Sequence, residues 1–353
     1  MSMVVVMAPD ATEEDIARVV QRVEGVGGEA NVSRGVTRTI IGLVGDIDSF
    51  HHLNLRTLPG VADVHRISAP YKLVSRQHHP QRSTVWVGRP EIGLTPIGPD
   101  SFTFLAGPCA VETPEQTVAA AQMAKAAGAT IIRGGAYKPR SSPYSFQGLA
   151  LAGLQILADV RTVTGLPIVT EVVDVRDVEM VAEYADMLQI GTRNMANFGL
   201  LQAASESGKP ILLKRGMSST IEEWLLAAEY IARRGNLDIV LCERGIRTFE
   251  TSTRNTLDIS AVPVVQAASH LPVIIDPSHA AGRKDLVVPL SRAAIAVGAD
   301  GLIVDVHPHP EDALCDGPQA LLGTELRELA QAVRQLPPVL GRVDAADLTR
   351  QLA

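Results

Sequence analysis

The sequence predicts an α/β protein, a (β/α)8 TIM barrel preceded by a small βαββαβ ferredoxin-like (ACT-like) domain. Three observations predict it. Eight apolar, strand-like runs alternate with eight helical stretches over roughly 235 residues, close to the ~250 of a closed eight-fold barrel. A separate succession of strand and helix signals fills residues 1–72. The Gly-x-Gly-x-x-Gly fingerprint of the rival, an open doubly wound sheet, does not follow the first strand of the alternating part.

In the first domain, Met3–Ala8 reads as a strand. Thr12 caps a helix with Asp15 three residues on, and Ile16, Val19, Val20 and Val23 form its apolar stripe. Gly25, Gly27 and Gly28 stop that helix. Strand-like runs Ala30–Ser33 and Thr37–Val44 follow, joined at Arg34–Gly35, then a helix over Ile47–Leu58 and a strand over Val61–Ile67. Residues 73–100 read as a linker containing one arm of a short hairpin at Val85–Gly88, and His65, His78 and His79 as solvated loop histidines.

The barrel is expected over 101–335. Its strands are Phe102–Ala106, Thr130–Arg133, Pro167–Thr170, Met187–Ile190, Pro210–Leu213, Ile239–Cys242, Pro272–Ile275 and Gly301–Val304. The helices fall at 114–127, 147–163, 175–184, 195–207, 220–234, 256–268, 284–297 and 318–334. Thr113-Pro114-Glu115-Gln116 carries N-cap, N1 proline and capping glutamine in register. Pro337-Pro338 suggests a break, leaving 336–353 as a loosely attached tail.

A net charge of −7 argues against nucleic-acid or polybasic membrane binding. No apolar run approaches the ~18 residues of a membrane span, and the N-terminus does not resemble a signal peptide. Three scattered cysteines make no disulfide framework. A cytoplasmic protein is expected.

In this fold the C-terminal strand ends carry function. Arg133, Lys138, Arg140, Arg193, Lys214 and Arg244 leave four of them; Lys138 and Lys214 are two of only six lysines in the chain. Guanidinium forks and ammonium groups suit phosphate and carboxylate oxygens, so small, multiply anionic substrates are expected. The same rim carries Cys109, His279, Asp305 and Asp316, a mixed thiolate, imidazole and carboxylate set for one divalent Zn, Mn, Fe or Co ion.

The motifs GPCAVE, RGGAYKPRSSPYSFQG, IGTRN, LLKRG, CERG, DPSHAAGR and VDVHPHPEDALCDG together resemble the 3-deoxy-D-arabino-heptulosonate 7-phosphate (DAHP) synthases. More narrowly, they resemble the short subfamily with an N-terminal ferredoxin-like regulatory domain. The resemblance implies condensation of phosphoenolpyruvate with erythrose 4-phosphate, the first step of the shikimate pathway. It implies Cys109, His279 and Asp316 as metal ligands, with Asp305 where the family usually has Glu. It implies Arg133, Lys138, Arg193, Lys214 and Arg244 around phosphoenolpyruvate, and Lys138, Pro139, Arg140 and Ser141 around erythrose 4-phosphate, with Thr192 a further substrate-binding candidate. Lys138 is the expected proton-handling group, with Glu171 and His279 as partners. Feedback by Tyr or Phe at the N-terminal domain and a homotetramer are further implications. The alternatives are a sister synthase acting on another aldose phosphate, and a non-catalytic barrel responsive to amino acids.

Overall fold

The computed structural model describes residues 3–35, 37–66, 69–345 and 347–348, in two compact units, Met1–Pro70 and Tyr71–Ala353. In the first unit, β1 (Met3–Met7) alternates buried and half-buried residues, so Met3, Val5 and Met7 share one face. Helix α1 (Glu13–Glu24) starts on the expected capping box. The Asp15 amide donates to Thr12 Oγ1 at 3.2 Å, and the Thr12 amide donates to Asp15 Oδ2 at 3.0 Å. Strands β2 (Glu29–Arg34), β3 (Thr39–Val44) and β4 (Val61–Arg66) complete an antiparallel sheet of order β2-β3-β1-β4. The helix expected over 47–58 divides into α2 (Ile47–His51) and a 3-10 turn at Leu55–Thr57, because Asn54 between them is left-handed at φ 49°. Ile67, expected to end the last strand, lies outside the described residues, as do 349–353 of the tail.

In the second unit, β5 (Val85–Arg89) and β6 (Gly93–Ile97) form an antiparallel hairpin. This segment is not a linker. Val85, Val87 and Ile97 are fully buried in one cluster with the barrel's interior residues Leu105, Ile131, Val169, Met187, Leu212, Val240, Ile274 and Ile303. Alternation within a five-residue strand gives the hairpin one apolar face, and the interior of the barrel covers it.

Eight parallel strands make the barrel: β7 (Ser101–Gly107), β8 (Ile131–Arg133), β9 (Ile168–Val172), β10 (Met187–Ile190), β11 (Ile211–Lys214), β12 (Ile239–Glu243), β13 (Val273–Ile275) and β14 (Gly301–Asp305). Pairing of β14 with β7, Gly301 on Thr103 through Asp305 on Gly107, closes the ring. Between strands run α3 (Pro114–Ala126), α4 (Leu151–Thr164), α5 (Val178–Tyr184), α6 (Phe198–Glu206), α7 (Ile221–Ala232) and α8 (Ala261–Ala268). A short α9 (Pro277–Ala281) sits directly on the end of β13, and α10 (Lys284–Ala296) follows it.

The last helix, α11 (Gly323–Val339), continues through Pro337 and Pro338 and ends one residue beyond them, so the donors they remove are lost only from its final turn. Residues 342–344 beyond it are pinned rather than loose. Strand β15 (Val343–Asp344) pairs with Ser101–Phe102 of β7, and Arg342 Nη1 meets Asp300 Oδ1 at 2.8 Å. Among the described residues no helix is long and apolar enough to cross a membrane.

Candidate active site

The C-terminal ends of the barrel strands surround a cavity of about 450 Å³. Its walls include Arg133, Lys138, Pro139, Arg140, Ser141, Glu171, Thr192, Arg193, Lys214, Arg244, His279 and Asp316, so most of the residues singled out in the sequence meet here. Arg247 and Arg254, from the long loop after β12, also line it, which brings the wall to eight cations against the carboxylates of Glu171 and Asp316. That asymmetry calls for an anionic occupant. Arg133 Nε, Arg244 Nη1 and Thr192 Oγ1 are buried without a hydrogen-bond partner, a costly condition for donors.

Not every cation is equally free. Lys214 Nζ pairs with Asp276 Oδ2 at 2.5 Å, and Arg133 Nη1 donates to Asp305 Oδ1 at 2.6 Å and to Pro108 O at 3.1 Å. The backbones of Gly107 and Arg133 approach so closely that a Cβ at Gly107 would stand 2.1 Å from Arg133 O. Arg215, next to Lys214, turns away to Glu243 (3.0 Å) and Asp258 (2.8 Å) and builds the wall.

Beside the cationic cavity the four proposed metal donors converge. Cys109 Sγ lies 3.0 Å from Asp316 Oδ2 and 3.6 Å from His279 Nε2. His279 Nε2 lies 3.7 Å from Asp305 Oδ2 and 3.9 Å from Asp316 Oδ2. Ligands on a tetrahedral ion, with bonds of about 2.0–2.3 Å, stand roughly 3.3–3.8 Å apart. The spacing and chemistry of this set therefore fit one divalent cation. His279 opens the first turn of α9, whose N-cap Asp276 accepts from the His279 amide and, at 2.8 Å, from its Nδ1, leaving Nε2 to face the other donors. Asp316 takes a left-handed conformation, φ 56°, which brings its carboxylate back over Cys109.

The field at this cluster attracts positive charge. Burial opposes protonation of His279, but Asp276 and Asp305 outweigh it and raise the imidazole to about 9. Burial likewise opposes charge on Asp316, yet His279 and the Cys109 hydrogen bond hold it far below the usual carboxylate range. The neighbouring Cys315, burial and the Asp305 charge push the Cys109 thiol well up. Lys138 Nζ bonds Cys109 O at 2.9 Å and Sγ at 3.0 Å. Burial alone would discharge it, but Cys109 and Cys315 raise its pKa, so it stands as a fixed ammonium between donor set and cavity.

Glu171, at the end of β9, accepts from Gln189 Nε2 at 3.0 Å. A Cβ at Gly191 would stand 1.9 Å from Glu171 Oε1, so only glycine lets that carboxylate reach the cavity. Sequence reading missed Arg247, Arg254 and Gln319. For the two arginines the available signal was the length of the loop after β12, since long βα loops tend to be functional; Gln319 had none.

Two family models match the chain: the DAHP synthetase I family over residues 91–340, and the DAHP synthase ferredoxin-like domain over residues 3–69. A phospho-2-dehydro-3-deoxyheptonate aldolase of Thermotoga maritima is 51% identical over 339 residues, covering 96% of this chain and 99% of the relative. A 2-dehydro-3-deoxyphosphooctonate aldolase of Magnetococcus marinus is 33% identical over 271 residues, covering 71% and 90%. The crystal structure of the Thermotoga maritima DAHP synthase superposes with a TM-score of 0.88 at 50% identity, covering 97% and 99% of the two chains.

Proposed function

The chain belongs to the DAHP synthetase I family, and on that premise we propose that the cationic cavity binds phosphoenolpyruvate and erythrose 4-phosphate side by side. The activity is that of a 3-deoxy-7-phosphoheptulonate synthase, a transferase at the first step of the shikimate pathway. One observation carries the site assignment: a single cavity combines eight cations with His279 and Asp316, which belong to the donor groups Cys109-His279-Asp305 and Cys109-Cys315-Asp316 that meet at Cys109.

In the reaction, C3 of phosphoenolpyruvate attacks the aldehyde carbon of erythrose 4-phosphate, water adds at C2, and inorganic phosphate leaves with C–O cleavage. Arg133 Nε and Arg244 Nη1, buried and unpartnered, supply donors to the anionic end of phosphoenolpyruvate, with Arg193, Thr192 and Lys214 beside them. Arg140 and Ser141, following Lys138-Pro139, receive the second phosphate. Cys109, His279, Asp305 and Asp316 would hold one divalent cation, of the Mn, Fe, Co or Zn type, which when bound supplies Lewis-acid polarisation of the aldehyde oxygen. Lys138 serves as a permanent cation that donates a hydrogen bond to that oxygen, because its neighbours keep it protonated. Proton removal from the incoming water falls to Glu171, the buried carboxylate on the same wall. Catalysis is then mostly placement and electrostatics.

The N-terminal unit is read as the regulatory domain, with Tyr or Phe as its effector, in a cytoplasmic homotetramer. The relatives that act on phosphooctonate make the aldose the property to test. Phosphate release from phosphoenolpyruvate with erythrose 4-phosphate, compared with arabinose 5-phosphate, decides it. Preference for the five-carbon sugar, or release with neither, would overturn the reading.

A further inference from the structure

The carboxylates of the donor set are joined by a bridge that leaves the site already described. Asp316 presents Oδ2 to Cys109 and His279, while its Oδ1 accepts from Arg254 Nη2 at 2.7 Å. The other terminal nitrogen, Arg254 Nη1, donates to Gln319 Oε1 at 3.0 Å. Gln319, fully buried, passes the link on through Nε2 to Asp305 Oδ2 at 2.5 Å. The four side chains form one continuous path, Asp316–Arg254–Gln319–Asp305. Its polarity is fixed at each step, because a guanidinium only donates and the amide must therefore accept from it with oxygen and donate with nitrogen.

The backbone at Arg254 is equally constrained. Its amide donates to Ala281 O at 3.0 Å, the next amide, of Asn255, donates to Ala280 O at 2.9 Å, and Asn255 Nδ2 donates to His279 O at 3.1 Å. The chain can lie this close to α9 because Gly282 ends that helix at φ 69°. A Cβ at Gly282 would stand 2.9 Å from Arg254 Cβ. Residues 254–255 are thus strapped to the helix that carries His279, while the Arg254 side chain holds the Asp316 carboxylate and, through Gln319, that of Asp305.

We propose that Arg254 and Gln319 are positioning residues that hold His279, Asp305 and Asp316 in one fixed donor geometry, and that this brace sets the affinity for the metal. Asp305 has a particular need of it. A carboxylate on one methylene has little reach of its own, and Asp305 is held from both sides, by Arg133 on Oδ1 and by Gln319 on Oδ2. The inference rests on the reading of Cys109, His279, Asp305 and Asp316 as metal donors.

The test is equilibrium metal binding to chelator-treated full-length protein, with Co²⁺ and Mn²⁺ competed against a chromophoric chelator. The absorption of the Co²⁺ form serves as a record of donor geometry. Loss of such outer contacts to metal ligands costs roughly 10- to 100-fold in affinity. Arg254→Met, which keeps the aliphatic stem, and Gln319→Met should each weaken binding in that range and alter the Co²⁺ spectrum. The melting temperature of the metal-free protein should move little in Arg254→Met, since that side chain is 45% exposed. The double variant should lose about as much as the worse single one, because the two residues act in series. Arg254→Lys should recover only part, having one nitrogen where two are needed. Wild-type affinity within twofold and an unchanged spectrum in Arg254→Met would overturn the brace, and so would fully additive losses. If the wild-type protein itself bound no cobalt, the metal-donor reading would fall instead.

Discussion

Arg244 offers the sharpest separation of function from stability. It stands one residue beyond β12, is 8% exposed, and leaves Nη1 buried with no acceptor. Burial is the first cause of its lowered pKa, with Asp276 opposing, so the ligand-free protein carries this charge at a cost. An unsatisfied buried donor costs about 1–3 kcal/mol, more when charged. Arg244→Met removes that penalty at similar length. The ligand-free protein should therefore keep or gain stability, by about 1 kcal/mol, which is a rise of roughly 2 °C in Tm for a chain of this size. Substrate binding should move the other way. A charge-assisted hydrogen bond is worth ~1.5–3 kcal/mol, and two such bonds to one anion give roughly a 10²- to 10⁴-fold fall in kcat/KM for phosphoenolpyruvate. Thermal melting without substrate, beside steady-state kinetics, measures both quantities on one preparation. A Tm lowered by several degrees with an unchanged KM for phosphoenolpyruvate would mean that Arg244 is a structural cation, and the account of the cavity would fail with it.

Three further outcomes follow from other parts of the molecule. Lys138→Met should cut turnover at least ~100-fold by removing the fixed cation while the protein still folds; near-normal turnover would contradict its placement between donor set and cavity. Val87→Ala, in the hairpin packed on the barrel interior, should destabilise by about 2 kcal/mol in denaturant unfolding, because Val87 is fully buried there; a removable linker would show almost no change. His270 should make stability fall with acid. Burial lowers its pKa below the ordinary 6.5, with Ser83 Oγ at 2.7 Å from Nδ1 and Leu73 O at 3.0 Å from Nε2. The unfolded chain then binds a proton near pH 6.5 that the folded one refuses. Stability is thus fully present above that pH and is lost as the pH falls toward the depressed folded value. Unfolding free energies of wild type and His270→Gln between pH 7.5 and about 5 should converge toward the acid end if this holds, and run parallel if it does not.

The barrel was legible because its signals are local and repeated. Each strand is a short apolar run, each helix has an amphipathic period or a cap, and polar residues cluster at one end of every strand. Three of the proposed donors share that signal, since Cys109, His279 and Asp305 stand at or a few residues past strand ends, while Asp316 lies farther out in the loop after β14. What escaped has no local signature. The hairpin of β5 and β6 carries prolines and polar residues like any connector, and only the barrel interior gives Val85, Val87 and Ile97 a place to be buried. Pro337-Pro338 reads as a stop, yet a final helical turn tolerates it, and β15 then finds the free edge of β7 at Ser101. Arg254 and Gln319 are 65 residues apart and joined by a single hydrogen bond. No spacing rule connects them, since their relation exists only once β12, β13 and β14 stand side by side.

The proposed reaction requires one divalent cation, held by Cys109, His279, Asp305 and Asp316, working with the cationic cavity to join the two phosphorylated substrates. Its most direct test measures metal content and phosphate release on the same chelator-treated sample as metal is returned. The account predicts negligible release from phosphoenolpyruvate and erythrose 4-phosphate at the start, then a linear rise that ends at one equivalent per chain. Full turnover in metal-free protein, or a rise that continues well past one equivalent, would contradict it.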